Sequence, residues 1–202
     1  MNEFIPDYKK VLTQEFYIRP PAIVAKELLG KVLVRFLDER NYTAGKIVET
    51  EAYLSENDLS SHSAVGKTKR NDAMFCMGGI MYVYKIYGIH HCINFVTEEE
   101  GIGSAVLIRA LEPIAGIDIM KKNRRCDDIK NLCSGPAKLA QAFGFNLSDN
   151  HKSLQTCHLF VQNFVTAKTE DIAIGKRIGI TKSSELPLRF FLAHNSYISR
   201  KK

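Results

Sequence analysis

The chain has 202 residues, with 45% hydrophobic and 25% charged side chains. That is enough for one buried core and too balanced for a disordered segment. A net charge of +6 and a pI near 9.0 favour a polyanionic partner. No apolar run approaches the roughly 18 residues of a membrane span, and the segment from Met1 to Asp7 lacks a basic stretch followed by an apolar one. Five cysteines without C-x-x-C spacing suit reduced thiols rather than a disulfide framework. A cytoplasmic protein is expected, nucleoid-associated if it is bacterial, with no membrane partner.

In chain order, Pro20-Pro21 ahead of Ala22 to Leu29 and then Gly30 predicts a helix with Val24 and Leu28 on its buried face. Lys31 to Leu37 reads as a strand with Val32, Val34 and Phe36 on one side. Asp38 to Asn41 turns it into an antiparallel partner that carries Glu49, Glu51 and Tyr53. Ser55 to Asn71 shows little periodicity and reads as a loop or a short capped helix. A second strand pair runs from Tyr82 to Phe95 with Gly88 at its turn, and Ser104 to Ala110 reads as a buried strand. Helices are predicted over Ile114 to Met120 and from Gly135-Pro136 to Gly144, with short strands near Leu159, Ile178 and Phe190. There is no repeat and no linker, so one α+β domain over residues 1–202 is the economical organisation.

The run Gly45 to Tyr53 holds the first candidate chemistry. Positions i, i+2 and i+4 of a strand share a face, so Glu49, Glu51 and Tyr53 project together. Two like charges repel and raise one pKa, which suits a glutamate that draws a proton from water. The same run also reads as a solvent-facing edge strand. Arg109, in an otherwise apolar strand, needs an acceptor if buried; Glu51 is one candidate and Glu112, close in sequence, the other.

Tyr82 and Tyr84 share a strand face, either as a core cluster or as part of a site. Tyr87 sits at the hairpin tip, where a side chain projects like the wedges that separate stacked bases. Tyr53, His62 and Tyr84 are candidate walls for a flat purine, and electron-rich rings suit a cationic one; His62 reads equally as a loop residue bonded to backbone. Basic clusters at Lys67-Thr68-Lys69-Arg70, Lys121 to Arg125, Lys176-Arg177 and Arg200-Lys201-Lys202 fall in or beside predicted turns, where they can converge on phosphates or simply be solvated. His90-His91-Cys92 occupies adjacent strand positions that face opposite sides, so no metal site is expected.

Taken in order, several segments resemble the alkyladenine (3-methyladenine) DNA glycosylases of the mammalian alkyladenine glycosylase type. They are Val48 to Tyr53, Ser61-His62-Ser63, Thr68 to Asn71 with Met74-Phe75, Tyr82 to Gly88, Leu107 to Pro113, Ser134 to Leu139 and Pro187 to Phe190, within Leu12 to Asn195. The resemblance implies a compact mixed domain on a curved antiparallel sheet with a protruding tyrosine-bearing hairpin, unlike the helix-hairpin-helix glycosylases. It implies that Glu51 deprotonates the water attacking the sugar, with Arg109 and the backbone carbonyl near Ile178 holding that water. Tyr53, His62 and Tyr84 would line the base pocket, with Asn94 at its wall to exclude the guanine exocyclic amine. Tyr87 would fill the space of the flipped nucleotide, while Lys67, Lys69, Arg70 and Lys138 meet the DNA backbone.

The expected partner is double-stranded DNA containing alkylated or deaminated purines, met by a monomer with no metal or organic cofactor. Two positions depart from the family pattern. Gly78-Gly79 replaces Pro-Gly and would loosen the approach to the hairpin, and Lys85 stands at a usually aliphatic position. Three rival readings stay open: a glycoside hydrolase using Glu49 and Glu51, whose strand spacing of about 7 Å fits an inverting pair; a damage-binding protein without activity; and a glycosylase that also nicks through a lysine Schiff base.

Overall fold

The structure, a computed structural model, is described for residues 4–199, so Arg200-Lys201-Lys202 and the start of the N-terminal segment read above lie outside the described residues. A one-turn helix α1 (Gln14–Tyr17) precedes α2 (Pro21–Glu27). Pro21 opens α2 at a position whose N–H would find no intrahelical partner. Val24 and Leu28 turn inward and are fully buried, as their spacing predicts. Gly30 then reverses the chain at φ +86°, where a Cβ would lie 2.5 Å from the Val165 carbonyl oxygen. Only glycine fits there.

β1 (Val32–Phe36) and β2 (Tyr42–Tyr53) form the expected antiparallel hairpin. Asp38 holds its turn, Oδ1 accepting the Arg40 and Asn41 N–H groups at 2.8 and 2.9 Å. β3 (Met81–Ile86) and β4 (His90–Val96) form a second hairpin, and β5 (Ala105–Ala115) inserts between β4 and β2. Helices α3 (Ile117–Arg124), α4 (Ile129–Leu132) and α5 (Pro136–Phe143) follow. Strands β6 (Gln155–Thr156), β7 (Leu159–Gln162), β8 (Ile172–Gly175) and β9 (Arg189–Leu192) complete the described chain.

The strands join in the order β3-β4-β5-β2-β1-β7-β6, with β9 bridging β2 and β8, and every pairing is antiparallel. β2 is the hub. One edge pairs with β5 along its length; the other pairs with β1 through Lys46 and with β9 from Glu49 to Glu51. This exchange of partners accompanies a curled sheet, against which α2, α3 and α5 pack around one principal core. The result is the expected single compact α+β domain. Among the described residues no helix is long and apolar enough to cross a membrane.

Several sequence expectations change in the fold. Ile114 and Ala115 belong to the end of β5 instead of starting the expected helix, because that end of the strand pairs with Ala44 to Lys46 of β2; the helix begins only after Gly116, at φ +72°. Ladder hydrogen bonds override the helical pattern there. Ile178 is not in a strand: β8 ends at Gly175, opposite Arg189, and the backbone beyond turns toward β2. Lys121 to Arg124 belong to α3, not to a turn. The Gly78 and Gly79 amides donate to the Glu98 and Val96 carbonyls at 2.9 and 3.0 Å, so the approach to the hairpin is tied down rather than loose.

Candidate active site

Glu49 and Glu51 are both 0% exposed, which removes the solvent-facing reading of their strand. A register shift explains how they share one cation. Glu49 pairs with Ala110 and Thr50 with Ile108, so Arg109 is the extra residue of a β-bulge on β5. Bulges re-aim side chains, and here the Arg109 guanidinium reaches Glu49 through Nε and Glu51 through Nη1, each at 3.2 Å. Glu112, the local alternative, instead pairs with Lys46 at 2.7 Å.

The two carboxylates differ in their remaining partners. Glu49 also accepts from Arg189 Nε at 2.7 Å and from the Ser199 N–H and Oγ at 2.6 and 2.9 Å. Glu51 accepts the Ile178 N–H on Oε1 at 2.7 Å and the Tyr53 hydroxyl on Oε2 at 3.0 Å. Ile178 thus meets Glu51 through its amide, whereas the sequence resemblance points to a nearby carbonyl. Burial pushes the Glu51 carboxyl above its ordinary pKa, opposed by Arg109, the Ile178 amide and Tyr53, while Glu49 adds a further push upward. A carboxylate with raised pKa is a better proton acceptor than a solvated one.

Above this network lies a cleft of about 490 Å³, with Tyr53, Arg109 and Ile178 at its base. Its size fits a small-molecule or single-base pocket. Glu51 lies directly behind those three and bonds to each. His62, Tyr82 and Tyr84 form one aromatic wall: the His62 and Tyr84 rings meet edge to face at 4.6 Å, and His62 Nδ1 lies 2.8 Å from the Tyr82 hydroxyl. Although His62 is exposed as a whole residue, partial desolvation of its ring, with Arg70 nearby, lowers its pKa, which favours the neutral imidazole. Burial likewise raises the Tyr53 and Tyr84 phenols and takes Tyr82 to about 12, so all three stay uncharged. Tyr82 itself is core, 1% exposed. Asn94 lines the cleft, with Nδ2 donating to the Tyr82 carbonyl at 3.1 Å. A larger groove of about 770 Å³ between α2 and β8 holds none of the predicted residues.

Tyr87 projects from the cleft rim with 86% of its surface exposed. Its φ of +51° and the +73° of Gly88 put two consecutive residues in the left-handed region, within the three-residue loop that joins Ile86 to His90. That geometry favours Asn-Gly, and a bulky residue there is strained. Lys67, Lys69 and Arg70 are exposed in the loop before β3, and Arg70 reaches the cleft. Lys138 is half-buried and donates to Asn131 Oδ1. Arg177, which the sequence groups with a solvated basic pair, is instead buried against Asp58, with Nη1 and Nη2 donating to its two oxygens at 2.6 and 2.7 Å. Among the described residues no cluster of His, Cys, Asp or Glu could hold a metal.

Sequence reasoning misses Asp58, Arg177, Arg189 and Ser199 as parts of this site. Pro187 to Phe190 is one of the family-like segments, yet nothing local ties Arg189 to Glu49, 140 residues away. Only the curl of the sheet brings β9 there.

The fold and site together make an α+β protein in which a curled antiparallel sheet carries a buried Glu–Arg network beneath an aromatic, basic-rimmed cleft. The family model for methylpurine-DNA glycosylase matches residues 15–196. The chain belongs to that family and is a DNA glycosylase of DNA repair that acts on alkylated bases. It is 48% identical over 193 residues, 94% of its length and 99% of the relative's, to a protein of Methanoculleus marisnigri named "Putative 3-methyladenine DNA glycosylase". Proteins of the same name from Prosthecochloris aestuarii and Francisella tularensis are 43% and 47% identical, covering 93% and 88% of this chain and 90% and 92% of their own.

Proposed function

We propose that this protein hydrolyses the N-glycosidic bond of purines alkylated at N3 or N7, 3-methyladenine among them, after the nucleotide has been flipped out of duplex DNA. The observation that carries this reading is Glu51: a buried carboxylate with raised pKa, held at the base of an aromatic cleft by Arg109, Tyr53 and the Ile178 amide. A carboxylate has about four acceptor sites. Three are occupied by protein donors, leaving one on Oε1 for a water.

In the reaction that water loses a proton to Glu51 as its oxygen bonds to C1′. The C1′–N9 electron pair leaves with the base, neutralising the purinium. An alkylated purine is already cationic, so its departure needs no added acid; a neutral lesion such as hypoxanthine would need protonation. The Glu51 charge also favours the oxocarbenium-like sugar. Tyr53 and Tyr84 offer their faces to the cationic base, and the neutral His62 does not repel it. Asn94 borders the pocket as the discriminating amide. Tyr87 enters the stack to fill the vacated space, with Lys67, Lys69, Arg70 and Lys138 on the phosphates. Water as nucleophile leaves an abasic site in an intact strand.

Incubating dimethyl-sulfate-treated duplex DNA with the wild type and Glu51→Gln, then separating freed bases by chromatography, tests substrate, reaction and residue together. Release of methylated purines is expected from the wild type and a loss of about 10²–10⁴-fold in the variant. Undiminished release by Glu51→Gln would overturn the assignment, and a borohydride-trapped DNA adduct would favour the Schiff-base alternative.

A further inference from the structure

The buried pair Asp58–Arg177 lies outside the cleft lining yet touches what holds Glu51 in place. Both side chains are 0% exposed. Arg177 Nη1 donates to the Ala52 carbonyl at 3.0 Å, and its guanidinium carbon stands 4.6 Å from the centre of the Tyr53 ring. The next residue, Ile178, places its N–H on Glu51. One arginine and its neighbour therefore engage the consecutive residues Glu51, Ala52 and Tyr53.

Asp58 completes the arrangement from the loop after β2. Its oxygens also accept the Leu54 and Ser60 N–H groups, both at 3.1 Å. Arg177 Nη2 reaches on to the Ser183 carbonyl at 3.3 Å, and the Leu59 N–H donates to Ser183 Oγ at 3.0 Å. Two irregular segments, 54–60 and 177–183, are thus fastened together beside the site. They have no strand ladder of their own to fix them.

We infer that Asp58 and Arg177 are positioning residues for base excision, a clamp that sets the Ile178 amide on Glu51 and fixes the Tyr53 ring as a wall of the pocket. This rests on the assignment of Glu51 as the general base. The planar guanidinium suits the role because it donates bidentately and stacks at once, which an ammonium does not. A buried ion pair adds little net stability over an apolar replacement, so a fold gains from this one chiefly where it fixes geometry.

The clamp has a signature in pH. The charged or titratable groups facing Glu51 are Arg109 from β5, Glu49 and Tyr53 from its own strand, and Cys92 from β4, with Arg189 of β9 reaching Glu49. Losing the Ile178 amide removes one of the influences that lower the Glu51 pKa. The pKa then rises further, and the acidic limb of the rate profile moves to higher pH.

The test is single-turnover excision from a duplex with one alkylated purine, measured against pH for wild type, Glu51→Gln, Arg177→Lys and Asp58→Asn, each corrected for folded fraction by circular dichroism. For Arg177→Lys we expect a rate lower by on the order of a hundredfold, an acidic limb shifted upward, and affinity for an abasic-site duplex within about threefold of wild type. Asp58→Asn should shift the limb in the same direction. A merely structural pair would lower the folded fraction and leave the limb in place, and that result overturns the inference. Recovery of both variants only as unfolded protein also overturns it, since the pair would then hold the fold as a whole. Retained excision by Glu51→Gln would instead defeat the general-base assignment, whatever the clamp variants do.

Discussion

The centre of β2 and the tip of the β3–β4 hairpin both sacrifice stability, in opposite ways. At the centre, four charged groups, Glu49, Glu51, Arg109 and Arg189, are nearly sealed from water and survive because each is tied to the others or to backbone donors. At the tip, one tyrosine is forced into a left-handed turn and left 86% exposed. In the proposed mechanism the centre holds rigid donors around the general base, and burial supplies them. In the same reading the tip presents a free aromatic surface to DNA, and the strain there serves that exposure.

The largest expected effect comes from breaking the centre. Glu49→Gln removes the carboxylate that binds Arg109, Arg189 and Ser199, and should cost about 3–5 kcal/mol in urea unfolding. Glu49 is one of the influences raising the Glu51 pKa, so its neutralisation lowers that pKa and moves the acidic limb of excision to lower pH. This is opposite to the shift expected for Arg177→Lys. Unchanged stability would mean that the network is not mutually supporting.

At the tip the sign of the stability change reverses. Tyr87→Asn places a residue suited to the left-handed turn and should stabilise the protein by about 1 kcal/mol. Affinity for lesion duplex should nonetheless fall, by roughly tenfold. A destabilised Tyr87→Asn would remove the argument from strain, and unchanged affinity would remove the wedge.

The smallest effect lies around the rim. Replacing Lys67, Lys69 and Arg70 by Gln should leave unfolding within about 0.5 kcal/mol of wild type, since all three are exposed. The slope of log affinity against log salt should flatten by about 0.9 for each phosphate that is no longer neutralised. An unaltered slope would move the DNA track elsewhere on the surface.

Much of this is legible in the chain itself. Period-two alternation puts Glu49, Glu51 and Tyr53 on one strand, Gly88 marks the turn beside Tyr87, and Pro21 and Gly30 bound α2. These features depend on neighbours within a few residues. The helix expected from Ile114 starts only at Ile117, because β2, far earlier in the chain, claims the hydrogen bonds of the residues up to Ala115. Arg177 looks like surface charge because its partner, Asp58, lies 119 residues away.

The sequence by itself determined which residue types were available for chemistry and which local elements would carry them, since backbone periodicity and turn stereochemistry are local. The tertiary structure alone decided that Glu49 would be enclosed by Arg109, Arg189 and Ser199 while Glu51 came to lie directly behind the cleft, bonded to Arg109, Tyr53 and the Ile178 amide. It did so through a one-residue bulge at Arg109 and the arrival of Arg189, Ser199 and Ile178 from the far end of the chain. Burial, which pushes the Glu51 pKa upward, exists only once those distant segments close over it.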